Sequence, residues 1–439
     1  MIKTIADLRD DLLKSRKVIV RVDFNVPQDK SLKITDDSRI QAALPTINYL
    51  KEKGAKIILV THLGRPKSGP EDKFRLDPVA EHLSKLIGQP VLKLNDSIGA
   101  TVEAKVNSLQ DGQVALLENI RFYKEETDND QDFCKKLASL ADLYVNDAFG
   151  TAHRAHASTA GIASYLNPSV AGFLIEKEVK MLGSKLENPE RPFTAIIGGS
   201  KVSSKIEVLT SLVKKVDTLI IGGGMAYTFL KAKGANIGQS ICEDAQLDIA
   251  RHIMNLADEN NTALLLPEDV VATPSIDGDG EEVNVFDKYS PEDKFEIQVM
   301  PANDIPNGWQ GMDIGPNTRQ KFANLVSQSK TILWNGPVGV FEYTMLEEGT
   351  KAIAIALKQL TEKGGATIIG GGDSVAAIEK FGFEKSQFTH VSTGGGASLE
   401  FLEGKILPGI DCLDKKEDEG DIVEIKPTKS FKEELESLK

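Results

Sequence analysis

Short β-branched apolar runs return along the whole chain, and amphipathic stretches of helical length separate them. That alternation limits the fold more than any other feature of the sequence. The runs are VIVRVDF (18–24), KIILVTH (56–62), VALLEN (114–119) and LYVNDAF (143–149), then TAIIGG (194–199), TLIIGG (218–223), ALLLPED (263–269), TILWNGP (331–337), ATIIGG (366–371) and THVSTGG (389–395). Runs this apolar suit strands buried on both faces, with the spacers as helices covering those faces. The expected fold class is therefore α/β, with doubly wound, Rossmann-like parallel sheets. A chain of 439 residues exceeds one ordinary core, so two lobes of roughly 150–200 residues each are expected.

The lobes are expected to join around 170–190. Ile175, Val179, Leu182 and Leu186 form a helical apolar stripe, and Asn188-Pro189 ends it because the residue before proline avoids helical geometry. A helix between two sheets makes a hinge; an ordinary crossover helix within one domain fits the same residues. Residues 274–300, acidic and rich in turn formers, read as a surface excursion. The tail from 411 mixes KKEDEGD with KPTKSFKEELESLK and fits either disorder or a short surface helix from Ser430.

Composition excludes several partners. A net charge of −13 repels polyphosphate backbones and anionic lipid surfaces, so neither nucleic acid nor membrane is an expected partner. Cys134, Cys242 and Cys412 are too scattered for a disulfide framework, and a reducing cytoplasm is the expected location. The start, MIKTIADLRDD, has no apolar core of a signal peptide. No run approaches the ~18 apolar residues of a membrane span.

The halves carry different chemistry. In the second, strand after strand ends in glycine: Gly198-Gly199, Gly222-Gly223-Gly224, Gly336, Gly370-Gly371-Gly372 and Gly394-Gly395-Gly396. Glycine at the carboxyl ends of parallel strands lets backbone N–H groups approach phosphate, so a nucleotide site is expected there. No stretch fits GxxxxGK[ST]. GGGMAY and GGGDSV carry Tyr227 and Val375 where GxGxxG needs its third glycine. Asp373, at a helix start, suits either a cap or a Mg²⁺ ligand.

The first half places Arg21, Arg39, Arg65, Arg121 and Arg154 at strand ends or the turns beyond them, with His62, His82, His153 and His156 in the same half. Singly, each arginine suits a surface ion pair. Together they form a local cationic basin, and salt screens the distant negative charge over about 8 Å. Metal binding by His153 and His156 is an alternative, but no cysteine or acidic ligands accompany them.

VRVDFNVP, THLGRP, ENIRF, NDAFGTAHRAHAS, GGSKVSSKIEVL, IIGGGMAYTFL, WNGPVGVFE, IIGGGDS and VSTGGGASLEFLEG follow one another from residue 20 to about 409. In that order they closely resemble the phosphoglycerate kinase family. The resemblance implies transfer of a phosphoryl group between 1,3-bisphosphoglycerate and ADP, giving 3-phosphoglycerate and ATP with Mg²⁺. Asp23 and Asn25 match contacts to the glycerate, and Arg39 matches the arginine near the transferring group. His62, Arg65, Arg121 and Arg154 match the cluster for the acceptor's phosphate. Lys201 and Lys205 match the nucleotide-phosphate lysines, with Lys201 and Arg39 as the catalytic pair. Gly223, Gly311 and Glu342 match the adenosine site, Gly371, Gly372 and Ser374 the phosphate turn, and Asp373 the Mg²⁺ ligand.

The implied organisation is an acceptor domain over 1–169, a hinge helix over 170–188 and a nucleotide domain over 189–390. A segment over 391–410 returns to the first domain, followed by a charged extension over 411–439. A monomer is the family expectation. Ser200 and Ser374 stand where alanine and threonine are common, and the excursion and tail are longer than usual. Two rivals are a dehydrogenase, disfavoured by the missing GxGxxG, and a non-catalytic nucleotide sensor, which would not need Arg39, Lys201 and Asp373 together.

Overall fold

In chain order the strands are β1 (Lys17–Arg21), β2 (Lys56–Val60), β3 (Val91–Lys93), β4 (Val114–Leu116), β5 (Leu143–Asn146), β6 (Ser169–Ala171), β7 (Phe193–Ile197), β8 (Thr218–Ile221), β9 (Asn236–Ile237), β10 (Ala263–Leu265), β11 (Asp269–Pro274), β12 (Gln298–Pro301), β13 (Asp304–Ile305), β14 (Trp309–Ile314), β15 (Thr331–Asn335), β16 (Ala366–Gly370) and β17 (His390–Val391). They are seen in a computed structural model that describes residues 1–416 except 68, 185, 187 and 277–283. Each of the ten apolar runs overlaps a strand.

Two six-stranded sheets result, every pairing within them parallel. Their orders are β3-β4-β2-β1-β5-β6 and β10-β8-β7-β15-β16-β17. Alternation within the central strands fills both faces. Val18 and Val20 pack with Ile40, Ile47 and Leu83 of the helices Ser38–Glu52 and Asp77–Ile87, while Ile19 faces the opposite core. In β15, Ile332 and Trp334 face one core and Leu333 the other.

Numbered within itself, the second sheet has the order 3-2-1-4-5-6 of dinucleotide-binding domains. The first departs from it in its fourth strand, β4, which lies between β3 and β2 instead of between β1 and β5. In both, the winding direction reverses at one place, between β1 and β5 and between β7 and β15. Ligands bind at the carboxyl ends beside such a reversal.

Four features differ from the sequence reading. β3 and β6 are short and were not foreseen, because three residues give too little pattern. A small antiparallel sheet, β12-β11-β14, and the pair β13-β9 add to the second lobe. The expected excursion contributes to this unit: β12 spans its end, and Val285 is buried against Met312, Tyr343 and Leu346. Turn formers hid the strand because β12, at the sheet's edge, buries only Met300. Residues 277–283 of that stretch lie outside those described.

The stripe 175–186 is α-helical over Phe173–Val179, widens to a π turn over Lys180–Ser184 and is α-helical again at Leu186. Such turns concentrate at functional sites. Ile175, Leu182 and Leu186 join one apolar cluster that runs from Ile19 in the first sheet to Phe193 and Ala195 in the second.

The start of the expected tail extension is also corrected. Lys3 N–H donates to the Asp414 carbonyl and Asp414 N–H to that of Ser169, each at 2.8 Å, and Leu413 is buried. Backbone pairing along the first lobe outweighs the local charge of 411–416. The rest of the tail, with Ser430, lies outside the described residues.

Candidate active site

Four strand ends and one helix start build a cationic basin on the first lobe. The chain leaving β1 carries Asp23 and Asn25; that leaving β2 carries His62 and Arg65. The turn Ile120–Phe122 after β4 carries Arg121, and the segment after β5 carries Arg154. Arg39 lies in the first turn of Ser38–Glu52 and reaches Asp23, its Nη1 donating to Oδ2 at 3.0 Å. Asn25 Oδ1 accepts from Gly64 N–H at 2.8 Å, which ties the β1 and β2 exits together. Arg121 Nη1 donates to the Gly64 carbonyl at 3.1 Å, and its Nε is buried without a partner. Arg154 Nε donates to His153 Nε2 at 3.2 Å. Arg65 is exposed and makes no hydrogen bond or ion pair among the described residues.

Burial first, and then crowding of like charge, sets the titration of this basin. Burial, then Arg21, Arg121, Arg39 and Arg154, holds His62 well below the usual imidazole range, so the ring is neutral at pH 7. His156 is lowered to about 4 by burial and then Arg121, Arg21 and Arg154. Arg121 itself falls to about 10, by burial and then its neighbours Arg21 and Arg154. Cations held this close, against their mutual repulsion, give the basin a positive potential that suits a multivalent anion.

The second lobe presents backbone and lysine. Gly223 has φ +66°, and a Cβ there would stand 2.7 Å from the Gly199 carbonyl oxygen, so only glycine lets the β7 and β8 turns meet. Gly371, at φ +88°, caps the nine-residue helix Gly372–Lys380 with no side-chain bond, and a Cβ on Gly372 would meet nothing within 4 Å. The Asp373 carboxylate is exposed, caps nothing and makes no hydrogen bond or ion pair among the described residues.

Lys201 is exposed just beyond Gly199. Lys205 is largely buried, hydrogen-bonded to Asn335 Oδ1. Burial lowers its ammonium to about 8, against the upward pull of Asp373 and Glu403. Ser374 Oγ is buried and accepts from Gly336 N–H at 2.7 Å, so it braces the β15 exit. Gly311 lies in β14, buried beneath Tyr227, its N–H donating to Ser240 Oγ at 2.9 Å. Glu342 is exposed, and its carbonyl accepts from Lys380 Nζ at 3.1 Å.

The segment after β17 connects the two half-sites. A Cβ on Gly150 would stand 2.6 Å from Asp23 Oδ2 and 3.5 Å from the Thr393 carbonyl, which puts Thr393 beside the basin. A Cβ on Gly370 would stand 3.9 Å from Ser398 Cβ, which puts the same segment beside the glycine turn. Glu178 of the linking helix, fully buried, holds this segment. Its Oε2 meets His390 Nε2 at 2.8 Å, and its Oε1 accepts from Thr393 N–H at 2.7 Å and Oγ at 2.9 Å.

Against this geometry, the sequence model of the phosphoglycerate kinase family matches residues 7–405. The chain belongs to the phosphoglycerate kinase family. Phosphoglycerate kinase of Synechococcus elongatus is 54% identical over 412 residues, 94% of this chain and 98% of that one. That of Dictyoglomus turgidum is 56% identical over 414 residues, 94% and 99%. The chloroplastic phosphoglycerate kinase of Chlamydomonas reinhardtii is 51% identical over 415 residues, 94% and 87%. Among solved structures, phosphoglycerate kinase from Coxiella burnetii superposes with a TM-score of 0.81 at 42% identity, covering 94% and 98%. That from Pyrococcus horikoshii gives 0.75 at 32% identity, with the same coverage. Family membership makes this chain a phosphotransferase with phosphoglycerate kinase activity. No helix among the described residues is long and apolar enough to cross a membrane.

In phosphoglycerate kinase terms, the structure gathers Asp23, Asn25, Arg39, His62, Arg121 and Arg154 in one basin. It sets Lys205, Gly223, Gly371 and Asp373 on another sheet's edge. Among the described residues no three acidic, histidine or cysteine side chains gather to hold a metal, His153 and His156 included. Sequence reasoning missed Glu178, Asn335 and Ile241. Asn335 is buried with its Nδ2 unpartnered beside Gly371, and half-exposed Ile241 lies over Gly224. Their partners are distant in sequence, so only the WNGP motif hinted at the first of the two nucleotide-side residues.

Proposed function

We propose that the first lobe binds 3-phosphoglycerate or 1,3-bisphosphoglycerate, that the second binds ADP or ATP, and that closure of the two lobes permits direct transfer. One observation carries this reading: a crowded cationic basin and a glycine-edged turn with a free carboxylate sit at the carboxyl ends of two linked sheets, at or next to their switch points. His62, Arg65, Arg121 and Arg154 are assigned to the acceptor's phosphate, and Asp23 and Asn25 to its glycerate. Lys201 and Lys205 take the nucleotide phosphates with the N–H groups of Gly371 and Gly372. Gly223, Gly311 and Glu342 border the adenosine, and Ser374 acts through the β15 turn.

In the ATP-forming direction a terminal oxygen of ADP bonds to phosphorus while the acyl-phosphate O–P bond breaks, leaving the carboxylate of 3-phosphoglycerate. Both nucleophile and leaving group are anions, the carboxylate having a reference pKa of roughly 4, so no general base is needed. The chain's task is to position the reactants and neutralise charge. Arg39 must leave Asp23 and join Lys201 at the transferring group; they are the assigned catalytic residues. Mg²⁺, when bound, offsets charge on the nucleotide phosphates. Asp373, a single free carboxylate with no cage around it, fits an ion that takes its other ligands from phosphates and water. Closure about the Glu178 joint excludes water that would otherwise accept the phosphoryl group.

The reading also places a monomer in the cytoplasm, supported by two half-sites on one chain and three free cysteines. A coupled assay for ATP formation from 1,3-bisphosphoglycerate, ADP and Mg²⁺ tests it. Turnover is expected, and its absence with folded protein overturns the reading.

A further inference from the structure

Behind the basin lies a buried polar chain that the transfer chemistry does not use. Glu126 is 0% exposed; its Oε2 accepts from Ser158 N–H at 2.9 Å and its Oε1 from Ser158 Oγ–H at 2.6 Å. Ser158 Oγ in turn accepts from Arg21 Nε at 2.8 Å. Arg21, 1% exposed, donates through Nη1 to the Val22 carbonyl and through Nη2 to His62 Nδ1 at 3.1 Å. A guanidinium has donors only, so His62 Nδ1 must be the acceptor and Nε2 must carry the ring proton. Nε2 makes no hydrogen bond among the described residues and is not sealed from solvent.

We propose that Glu126 and Ser158 are positioning residues: through Arg21 they fix the His62 tautomer, so that Nε2–H is the donor presented to the acceptor's phosphate. This rests on the assignment of His62 to that phosphate. The direction of hydrogen bonding is set from the buried end. Ser158 has one proton, and Glu126 takes it, so Oγ must offer a lone pair to Arg21. That bond and the Val22 carbonyl hold the guanidinium plane, which leaves Nη2 aimed at Nδ1. Burial raises the Glu126 carboxyl above its usual range, against the downward pull of Arg21 and then Ser158. Burial, and then the four arginines around His62, suppress the doubly protonated ring, which would lose the acceptor role of Nδ1.

The test combines a spectrum of the free protein with kinetics. Long-range ¹H–¹⁵N spectra at pH 7 are expected to place the His62 proton on Nε2 in the wild type and to show tautomer averaging in Ser158→Ala. The same variant is expected to raise the KM for 3-phosphoglycerate roughly three- to tenfold, the loss of one buried hydrogen bond, with kcat and the nucleotide KM unchanged. Glu126→Gln combined with Ser158→Ala is expected to be no worse than the more affected single variant, because the residues act in series. A wild-type ring protonated on Nδ1, or a Ser158→Ala variant with wild-type tautomer and KM, overturns the proposal. So does a variant in which kcat and both KM values change together. Calorimetric binding of 3-phosphoglycerate to the wild type separates the two levels: its absence removes the functional assignment, while the spectrum decides the tautomer regardless.

Discussion

Lys205 gives the account its sharpest quantitative consequence. Its ammonium is largely buried and hydrogen-bonded to Asn335 Oδ1, and burial lowers its pKa from 10.5 to about 8. The protonated fraction of such a group is about 0.9 at pH 7 and about 0.1 at pH 9. If only the charged form receives the nucleotide phosphates, kcat/KM for ADP falls about tenfold over that interval, with an apparent pKa near 8 for the free enzyme. Binding polyanionic phosphate returns the proton, so calorimetry at pH 8.5 in buffers of different ionisation heat is expected to record uptake of about 0.8 proton per ADP. The assay is the coupled ATP-forming reaction from pH 6.5 to 9.5 with 1,3-bisphosphoglycerate saturating. Lys205→Arg, always charged, is expected to flatten the alkaline limb even if its overall rate is lower. A wild-type profile flat to pH 9, or the same limb in Lys205→Arg, refutes the reasoning.

Arg39→Ala is expected to lower kcat by about 10²-fold or more while ADP affinity holds, because a transfer clamp of this kind is worth roughly 10³–10⁵; unchanged turnover removes Arg39 from the mechanism. Glu178→Gln puts an amide donor against His390 Nε2, and the other ring nitrogen is already buried without a partner. It should cost about 1–3 kcal/mol in urea unfolding and reduce kcat; full stability and activity would contradict the joint's role. Asp147, whose Oδ1 accepts from Leu174 N–H at 2.8 Å at the start of the linking helix, is raised by burial to about 7. Its folded pKa exceeds the unfolded value of about 4, so the native state holds the extra proton between these values and stability falls as pH rises through that window. Asp147→Asn should remove about 2–4 kcal/mol of that pH dependence, read as unfolding midpoints at pH 5 and pH 8. Parallel pH dependence in variant and wild type would refute it.

The two parallel sheets were legible because each central strand is a local apolar run, and burial on both faces leaves no other use for such a run. β3 and β6 were not, being three residues long. β12 was masked by the turn formers and charges around it. The basin's arginines and the glycine turns announced themselves at strand ends, where topology makes position informative. The polar residues that organise them did not. Glu178 and His390 stand 212 residues apart, Lys205 and Asn335 130 apart, and Arg21 and Ser158 137 apart. Each looks ordinary until the fold brings its partner. The π turn was illegible for another reason: a 3.6-residue stripe signals a helix face but not one extra residue within it.

The account stands on two ligands held by different sheets and joined only when the lobes move. A crystal structure with 3-phosphoglycerate, ADP, Mg²⁺ and a planar phosphoryl mimic tests this most directly. The account predicts the glycerate against Asp23, Asn25 and Arg121, the nucleotide against Gly223, Lys205 and Asp373, and the mimic between Arg39 and Lys201, with Arg39 released from Asp23. Both ligands on one lobe, or a mimic untouched by either residue, would contradict it.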